Sequence, residues 1–294
     1  MPICLPTACA GSSSPHADIE KPHFAQAAAQ GMMMVNYDSR MPTGAESGGL
    51  ALDSVSMDNI EAGRMAAEHL IARGCRRLIF TTVAGMTSSR AHKIEGFLSA
   101  VRRHGLYYDG MIVEEQTMVA YGDTEMTELG RSLAKKICQQ SQRPDGVVAI
   151  NDALGIGLMA GLHEAGYSVP GEISIIGIDN IPLSGLVYPG LTSIMPPLAE
   201  MAEVMVERLI ERIENPTLSP AEFLFPPALV RRQSVRGGAR VLKQGAFRCD
   251  KREAPGALLF FHTSVGPTVS RILAKRRVSP DAMANSVSDD FACA

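Results

Sequence analysis

Apolar residues along the chain alternate between two periods. From Asp58 onward, Ala62, Met65, Ala66, His69 and Leu70 fall on one face of a helix. Glu61, three residues after Asp58, fits a capping box at the start of that helix, and Gly74 marks its end. A continuous apolar and β-branched run, Leu78–Val83, follows and reads as a strand. The alternation then repeats. Ile94, Phe97, Leu98 and Val101 predict a helix closed by Gly105, and Met111–Val113 a short strand. Met126, Leu129, Leu133 and Ile137 predict a third helix. Pro144-Asp145-Gly146 predicts a turn and Val147–Ile150 a strand. Leu154, Leu158, Met159 and Leu162 predict a fourth helix ended by Gly166, and Ile173–Ile178 another apolar strand. Strands apolar throughout, separated by helices, imply a parallel sheet covered on both faces, and the right-handed crossover rule makes it doubly wound.

The pattern shifts on either side of this stretch. Residues 1–31 carry no period, Met32–Val35 predicts a short buried strand, and Ser39–Gly49 a loop. After Pro189-Gly190, Leu191–Met195 predicts a strand. Pro196-Pro197 then opens a helix carrying Leu198, Met201, Met205, Leu209 and Ile213. Phe223–Phe225 and Ala228–Val230 are extended on either side of Pro226-Pro227, and beyond Arg236 the pattern dissolves. Four segments result: 1–31 irregular; 32–56 with 191–215 as a partial first lobe; 57–190 with 222–232 as a nearly complete second lobe; and 236–294 as a basic, disordered tail. That last stretch holds ten Lys/Arg against five Asp/Glu, whereas the whole chain has a net charge of −3. The overall charge therefore gives no drive toward nucleic acid.

The six cysteines, Cys4, Cys9, Cys75, Cys138, Cys249 and Cys293, are scattered and form no C-x-x-C pair. That spacing argues against a zinc site or disulfide framework and suits a reducing cytoplasm. No apolar run approaches 18 residues, so no membrane span is expected, and Met1–Ala10 is a poor secretory signal.

In open parallel sheets, ligands bind beyond the carboxyl ends of the strands. Strand 147–150 runs into Asn151-Asp152 and strand 173–178 into Asp179-Asn180, while the loop after strand 78–83 leads to Arg90 and Lys93. Amides, carboxylates and cations gathered at one edge suit a polar, polyhydroxylated molecule. The same residues have structural readings: Asn151-Asp152 as a helix cap, Asp179-Asn180 as a turn before Pro182, Arg90 as a surface cation. Gly155, Gly157 and Gly161 follow a strand in the spacing G-x-G-x-x-x-G. That is one residue away from a dinucleotide fingerprint, and the apolar stripe places these glycines inside a helix, where close packing explains them. No nucleophile elbow, phosphate loop or zinc-protease motif is present, so no enzymatic activity, cofactor or metal is expected.

Several stretches resemble the lactose/galactose-repressor family of transcription regulators. They are Asp53-Ser54-Val55-Ser56-Met57-Asp58-Asn59, Ala66–Gly74, Cys75–Phe80, Glu95-Gly96-Phe97 and Arg143-Pro144-Asp145-Gly146 with Asn151-Asp152. Val169–Asn180, Leu191-Thr192-Ser193-Ile194 and Leu229–Ser234 complete the set. They lie in the family's order over about residues 50–235. The resemblance implies a periplasmic-binding-protein-like (type I) α/β fold, with a sugar, sugar acid or purine effector held between two lobes. It further implies a homodimer in the intact family and DNA contact through a helix-turn-helix, which is not found before residue 50. By position, Asn151 and Asp179 would bond the effector. Lys93 stands where the family usually has arginine, with Arg90 beside it, and Tyr121 is the one aromatic where many members stack a ring on the ligand. A sugar transporter's solute-binding protein shares this fold and is the alternative in a different functional class. A small-molecule enzyme on a dinucleotide-type sheet is a third.

Overall fold

The computed structural model describes Gln26 and residues 31–38, 52–84, 87–115 and 122–237. The expectations for most of residues 1–31, the 39–49 loop, Tyr121 and the tail beyond 237 lie outside the described residues. The chain divides into two units, residues 4–240 and residues 1–3 with 241–294, and every described residue lies in the first.

Two sheets organise that unit. The larger has six strands in the order β4-β3-β5-β6-β7-β9: β3 Leu78–Val83, β4 Ile112–Glu115, β5 Gly146–Ala149, β6 Ser174–Ile178, β7 Thr192–Met195 and β9 Ala228–Val230. All neighbours run parallel except β9, which is antiparallel to β7. The smaller sheet is parallel, with β1 Val35–Tyr37, β2 Asp53–Met57 and β8 Glu222–Phe225 in the order β1-β2-β8.

Helices α1 (Asn59–Ala72), α2 (Ser88–Arg103), α3 (Asp123–Cys138) and α4 (Asp152–Glu164) accompany the large sheet, and α6 (Leu198–Glu214) packs on the small one. A four-residue turn of helix, α5 (Leu183–Leu186), follows β6. The strand interiors supply the core: Leu78, Phe80, Val147, Ile175 and Ile176 are sealed from solvent together with Leu70, Leu158 and Leu162. Phe80 meets Phe97 of α2 edge to face at 5.5 Å, an arrangement aromatic quadrupoles favour.

The helix ends follow the sequence closely. Asp58 caps α1 by accepting from the Glu61 N–H at 3.0 Å. The expected capping box is half formed, because the Glu61 carboxylate turns to Arg64 and the Asp58 N–H donates to the Phe225 carbonyl. Gly74 and Gly166 stop α1 and α4 with φ of 86° and 83°, angles that side chains with a Cβ rarely adopt.

Strand pairing corrects the expected lobe boundaries. Leu191–Met195 was assigned to the first lobe, but Thr192–Met195 pairs with β6 and belongs to the large sheet. Residues 222–225 were assigned to the second lobe, but they pair with β2. The chain therefore passes between sheets three times: at Asp58, at Pro196-Pro197 and at Pro226-Pro227. Two of these passages carry proline pairs. Proline has no N–H to give a ladder and so suits a segment that leaves one sheet for another.

Paired helices touch through glycines. A Cβ on Gly63 of α1 would overlap the Lys93 carbonyl of α2, and one on Gly96 would overlap the Ile60 carbonyl. On the other pair, a Cβ on Gly157 of α4 would overlap the Thr127 carbonyl of α3, and one on Gly161 would lie 2.7 Å from Ala134 Cβ. These glycines serve helix packing, in place of a dinucleotide-cradling turn.

Candidate ligand site at the carboxyl edge of the large sheet

The order β4-β3-β5-β6-β7 reverses direction between β3 and β5, which places a topological switch point at their carboxyl ends. Three of the candidate residues flank it. The chain leaves β3 and enters α2, capped by the Thr87 hydroxyl, which accepts from the Arg90 N–H at 3.3 Å. Arg90 and Lys93, three residues apart on that helix, are 6% and 7% exposed, which corrects the surface reading of Arg90. The chain leaves β5 and enters α4 through Asn151, whose Oδ1 caps the helix by accepting from the Leu154 N–H at 2.9 Å. The capping reading of Asn151 thus holds for its oxygen. Its Nδ2 has no hydrogen-bond partner among the described residues, and the side chain is half-buried.

Beyond β6, Asp179 and Asn180 adopt φ of 110° and 51°. Consecutive non-glycine residues with positive φ cost on the order of 1–3 kcal/mol each and need outside support. The Asp179 N–H donates to the Ile194 carbonyl at 2.8 Å and the Asn180 N–H to Ser193 Oγ at 3.0 Å. Arg232 Nη2 donates to Asn180 Oδ1 at 2.6 Å. The Asp179 carboxylate itself receives no hydrogen bond among the described residues.

Burial pushes the Asp179 carboxyl up to about 7; the neighbouring carboxylates Asp152, Asp38 and Asp123 add to the rise, and Lys93 opposes it. Burial, with Asp38 and Asp179 as neighbours, likewise raises the Tyr37 hydroxyl. Tyr37 and Asp38 come from the end of β1 in the small sheet. The small sheet thus contributes charge that acts on Asp179. Asp38 is held there, with φ of 55°, by Asn59 Nδ2 at 3.0 Å.

Asp152 is the exception among the five candidates. It is fully buried and points into the protein body, where Ser184 Oγ, Ser193 Oγ and the Ile181 N–H donate to it at 2.5, 2.6 and 3.0 Å. Burial lifts its carboxyl to about 6 against the pull of these donors and of Arg232. Sealed from solvent and bonded by three donors within the protein, it serves a structural role in this structure, where the sequence reading expects a ligand contact. The site thus gathers Asn151, Asp179, Arg90 and Lys93. It also includes Tyr37 and Asp38, which no sequence motif marks because they reach the site only through the pairing of β1 with β2.

The raised Asp179 carboxyl has a consequence for stability. A carboxyl with an ordinary unfolded value near 3.9 and a folded value of about 7 binds more protons when folded, so stability falls as pH rises from about 4 to about 7. Asp179→Asn removes this penalty, whose ceiling is about 4 kcal/mol at 1.36 kcal/mol per unit. The variant should melt higher than the wild type at pH 7.5, with the gap closing toward pH 4. An equal or lower melt at pH 7.5 would refute the electrostatic account.

Residues 67–235 match the family described as periplasmic binding protein-like domain. Among curated proteins, the chain is 31% identical over 184 residues to the ribose operon repressor of Escherichia coli (strain K12), covering 62% of this chain and 53% of that protein. It is 30% identical over 186 residues to the transcriptional repressor PurR of Escherichia coli O1:K1 / APEC, covering 63% and 52%. The chain spans about half the length of the curated relatives it matches. Among solved structures, it is similar to a LacI family transcriptional regulator from Enterococcus faecium with bound ribose. The TM-score is 0.62 and the identity 27%, over 72% of this chain and 73% of that one. A second ribose-bound regulator, from Enterococcus faecalis V583, gives 0.60 and 25%, over 72% and 71%.

Proposed function

The chain belongs to the periplasmic binding protein-like domain family, in its LacI-type effector-binding form, and from that premise we propose that it is the effector-binding core of a transcription regulator. The effector is a small polar molecule, a sugar, sugar acid or purine, held between the two sheets. Asp179 accepts from its hydroxyl or N–H groups, Asn151 donates through Nδ2, and Lys93 and Arg90 bind its oxygens.

The observation that carries this reading is the Asp179 carboxylate. Its residue is held at positive φ just after β6, and the carboxylate receives no hydrogen bond among the described residues. Strain of this kind is retained where function uses the geometry. The reading makes the protein a binder and not an enzyme, and it includes a homodimer, operator DNA and a cytoplasmic location. Among the described residues no helix is long and apolar enough to cross a membrane.

A thermal melt of the chain with pooled pentoses, hexoses, sugar acids and purine bases tests the reading. A ligand bound only by the folded state stabilises it by about 2.7 kcal/mol at a hundredfold excess over Kd. One pool should raise the midpoint, and Asp179→Ala and Asn151→Ala should each abolish the shift. A cooperative melt that no pool moves would contradict the proposal.

A further inference from the structure

We propose that Asp152 is a positioning residue for this site: its buried carboxylate locks the turn that presents Asp179 to the cleft. This rests on the effector-binding reading above and deepens it.

Three observations support the assignment. Both Asp152 oxygens are used: Oδ2 takes the Ile181 N–H at 3.0 Å and Ser184 Oγ at 2.5 Å from the segment just after Asp179, and Oδ1 takes Ser193 Oγ at 2.6 Å from the neighbouring strand β7. Ser193 in turn accepts from the Asn180 N–H at 3.0 Å, so a relay runs from the strained turn through a serine to the carboxylate. Finally, Gly177, the last residue but one of β6, leaves the space the carboxylate fills, since a Cβ there would overlap Asp152 Oδ1. A glycine inside a strand costs stability and is expected where another group approaches closely.

An acidic residue in the first turn of a helix normally serves the helix dipole from the surface. Asp152 is instead fully enclosed. It also directly follows Asn151, so the first turn of α4 joins the two candidate ligand residues. Asn151 lies on the chain beside the carboxylate, and Asp179 is held to it through the serines and the Ile181 amide. The separation between the Asn151 amide and the Asp179 carboxylate is thereby set by one side chain.

The test uses the full chain with Ser193→Ala and, independently, Ser184→Ala. Each removes one donor to the Asp152 carboxylate, and neither adds or removes an ionisable group. Two signals are read by NMR: the titration of the Asp179 carboxyl carbon, and amide exchange at Asn180 and Ile181, with Val148 in β5 as the reference for global opening. In the variants Asp179 should titrate at least one pH unit lower, as it leaves its buried place. Asn180 and Ile181 should exchange at least tenfold faster while Val148 is unchanged. If Ser193→Ala does not fold, Ser184→Ala decides. An unchanged Asp179 titration, or acceleration at Val148 equal to that at Ile181, overturns the proposal and leaves Asp152 a general stabiliser.

D-ribose titrated into the same samples separates the two readings. A tenfold loss of ribose affinity in the variants supports positioning, and unchanged affinity overturns it. A wild-type chain that ignores ribose and the other pooled compounds counts against the effector reading, while the carboxyl titration still decides the role of Asp152.

Discussion

Replacing Asp53 with asparagine is expected to destabilise the fold by about 3–5 kcal/mol, the range for removing one partner of a buried ion pair. Asp53 opens β2, the central strand of the small sheet, and is fully buried. It accepts from Arg208 Nη2 at 2.8 Å, from the Ala221 N–H at 2.8 Å and from Arg212 Nε. One carboxylate thus ties the strand to α6 and to the segment entering β8. Burial opposes its charge, yet the hydrogen bonds from Arg212, Arg208 and Ala221 prevail and hold its carboxyl below the usual range.

Asparagine keeps the shape but leaves Arg212, itself 7% exposed, as a buried cation without its counter-charge. Urea titration at pH 7 measures the loss, and a difference under about 1 kcal/mol would mean that water reaches the pair. Because the folded value is depressed, this stabilisation is complete above about 4 and disappears as pH falls through the folded value. That is the opposite sense to Asp179, so the wild type should show a stability maximum on the acidic side of neutrality. A further check is Asp53→Leu combined with Arg212→Met, which removes the buried Asp53–Arg212 pair, leaves Arg208 paired with Glu211, and should be milder than Asp53→Leu alone.

Gly157→Ala is expected to be nearly as costly, although intrinsic helix propensity alone argues for a gain of about 1 kcal/mol. The added methyl would meet the Thr127 carbonyl oxygen and its Cα at 2.9 Å. These are backbone atoms of a neighbouring helix and cannot swing aside. Overpacking of this kind costs about 1–3 kcal/mol or more, so the clash outweighs the propensity.

Gly155→Ala is the control on the same helix. Its methyl would meet Leu191 Cδ2 at 3.1 Å, the end of a flexible side chain that can yield by tenths of an ångström, and Ala149 Cβ at 3.4 Å, an ordinary contact. Denaturant midpoints should place Gly157→Ala well below the wild type and Gly155→Ala within about 1 kcal/mol of it. Equal values would mean that α3 and α4 can separate at little cost. Such separation would also disturb the candidate site, because Asn151 caps α4 and Asp152 opens it.

Much of this was legible in the chain as written. Local rules are short in range, and they succeeded where the cause is local. The apolar runs became β3, β5 and β6. Gly74 and Gly166 stopped their helices, and Asp58 capped its own. The rule that ligands gather at the carboxyl ends of parallel strands nominates Asn151, Asp152, Asp179, Arg90 and Lys93 as candidates from the sequence alone. The short apolar stretches Leu191–Met195 and Phe223–Phe225 read as strands, but the pattern along the chain puts them in the wrong lobes. A strand's sheet is chosen by partners far away in sequence, and periodicity within five residues carries no information about them.

The sequence by itself determined which segments become strands and helices, where they stop, and which polar residues stand at strand ends. These depend on side-chain period, backbone freedom at glycine and proline, and capping within a turn. Tertiary structure alone decided which way those polar residues face. Asp152 and Asp179 both follow apolar strands, yet one is enclosed by Ser184, Ser193 and the Ile181 amide while the other receives no hydrogen bond among the described residues. The difference arises from hydrogen bonds between residues about 30 to 40 positions apart, which form only once β6 and β7 lie side by side.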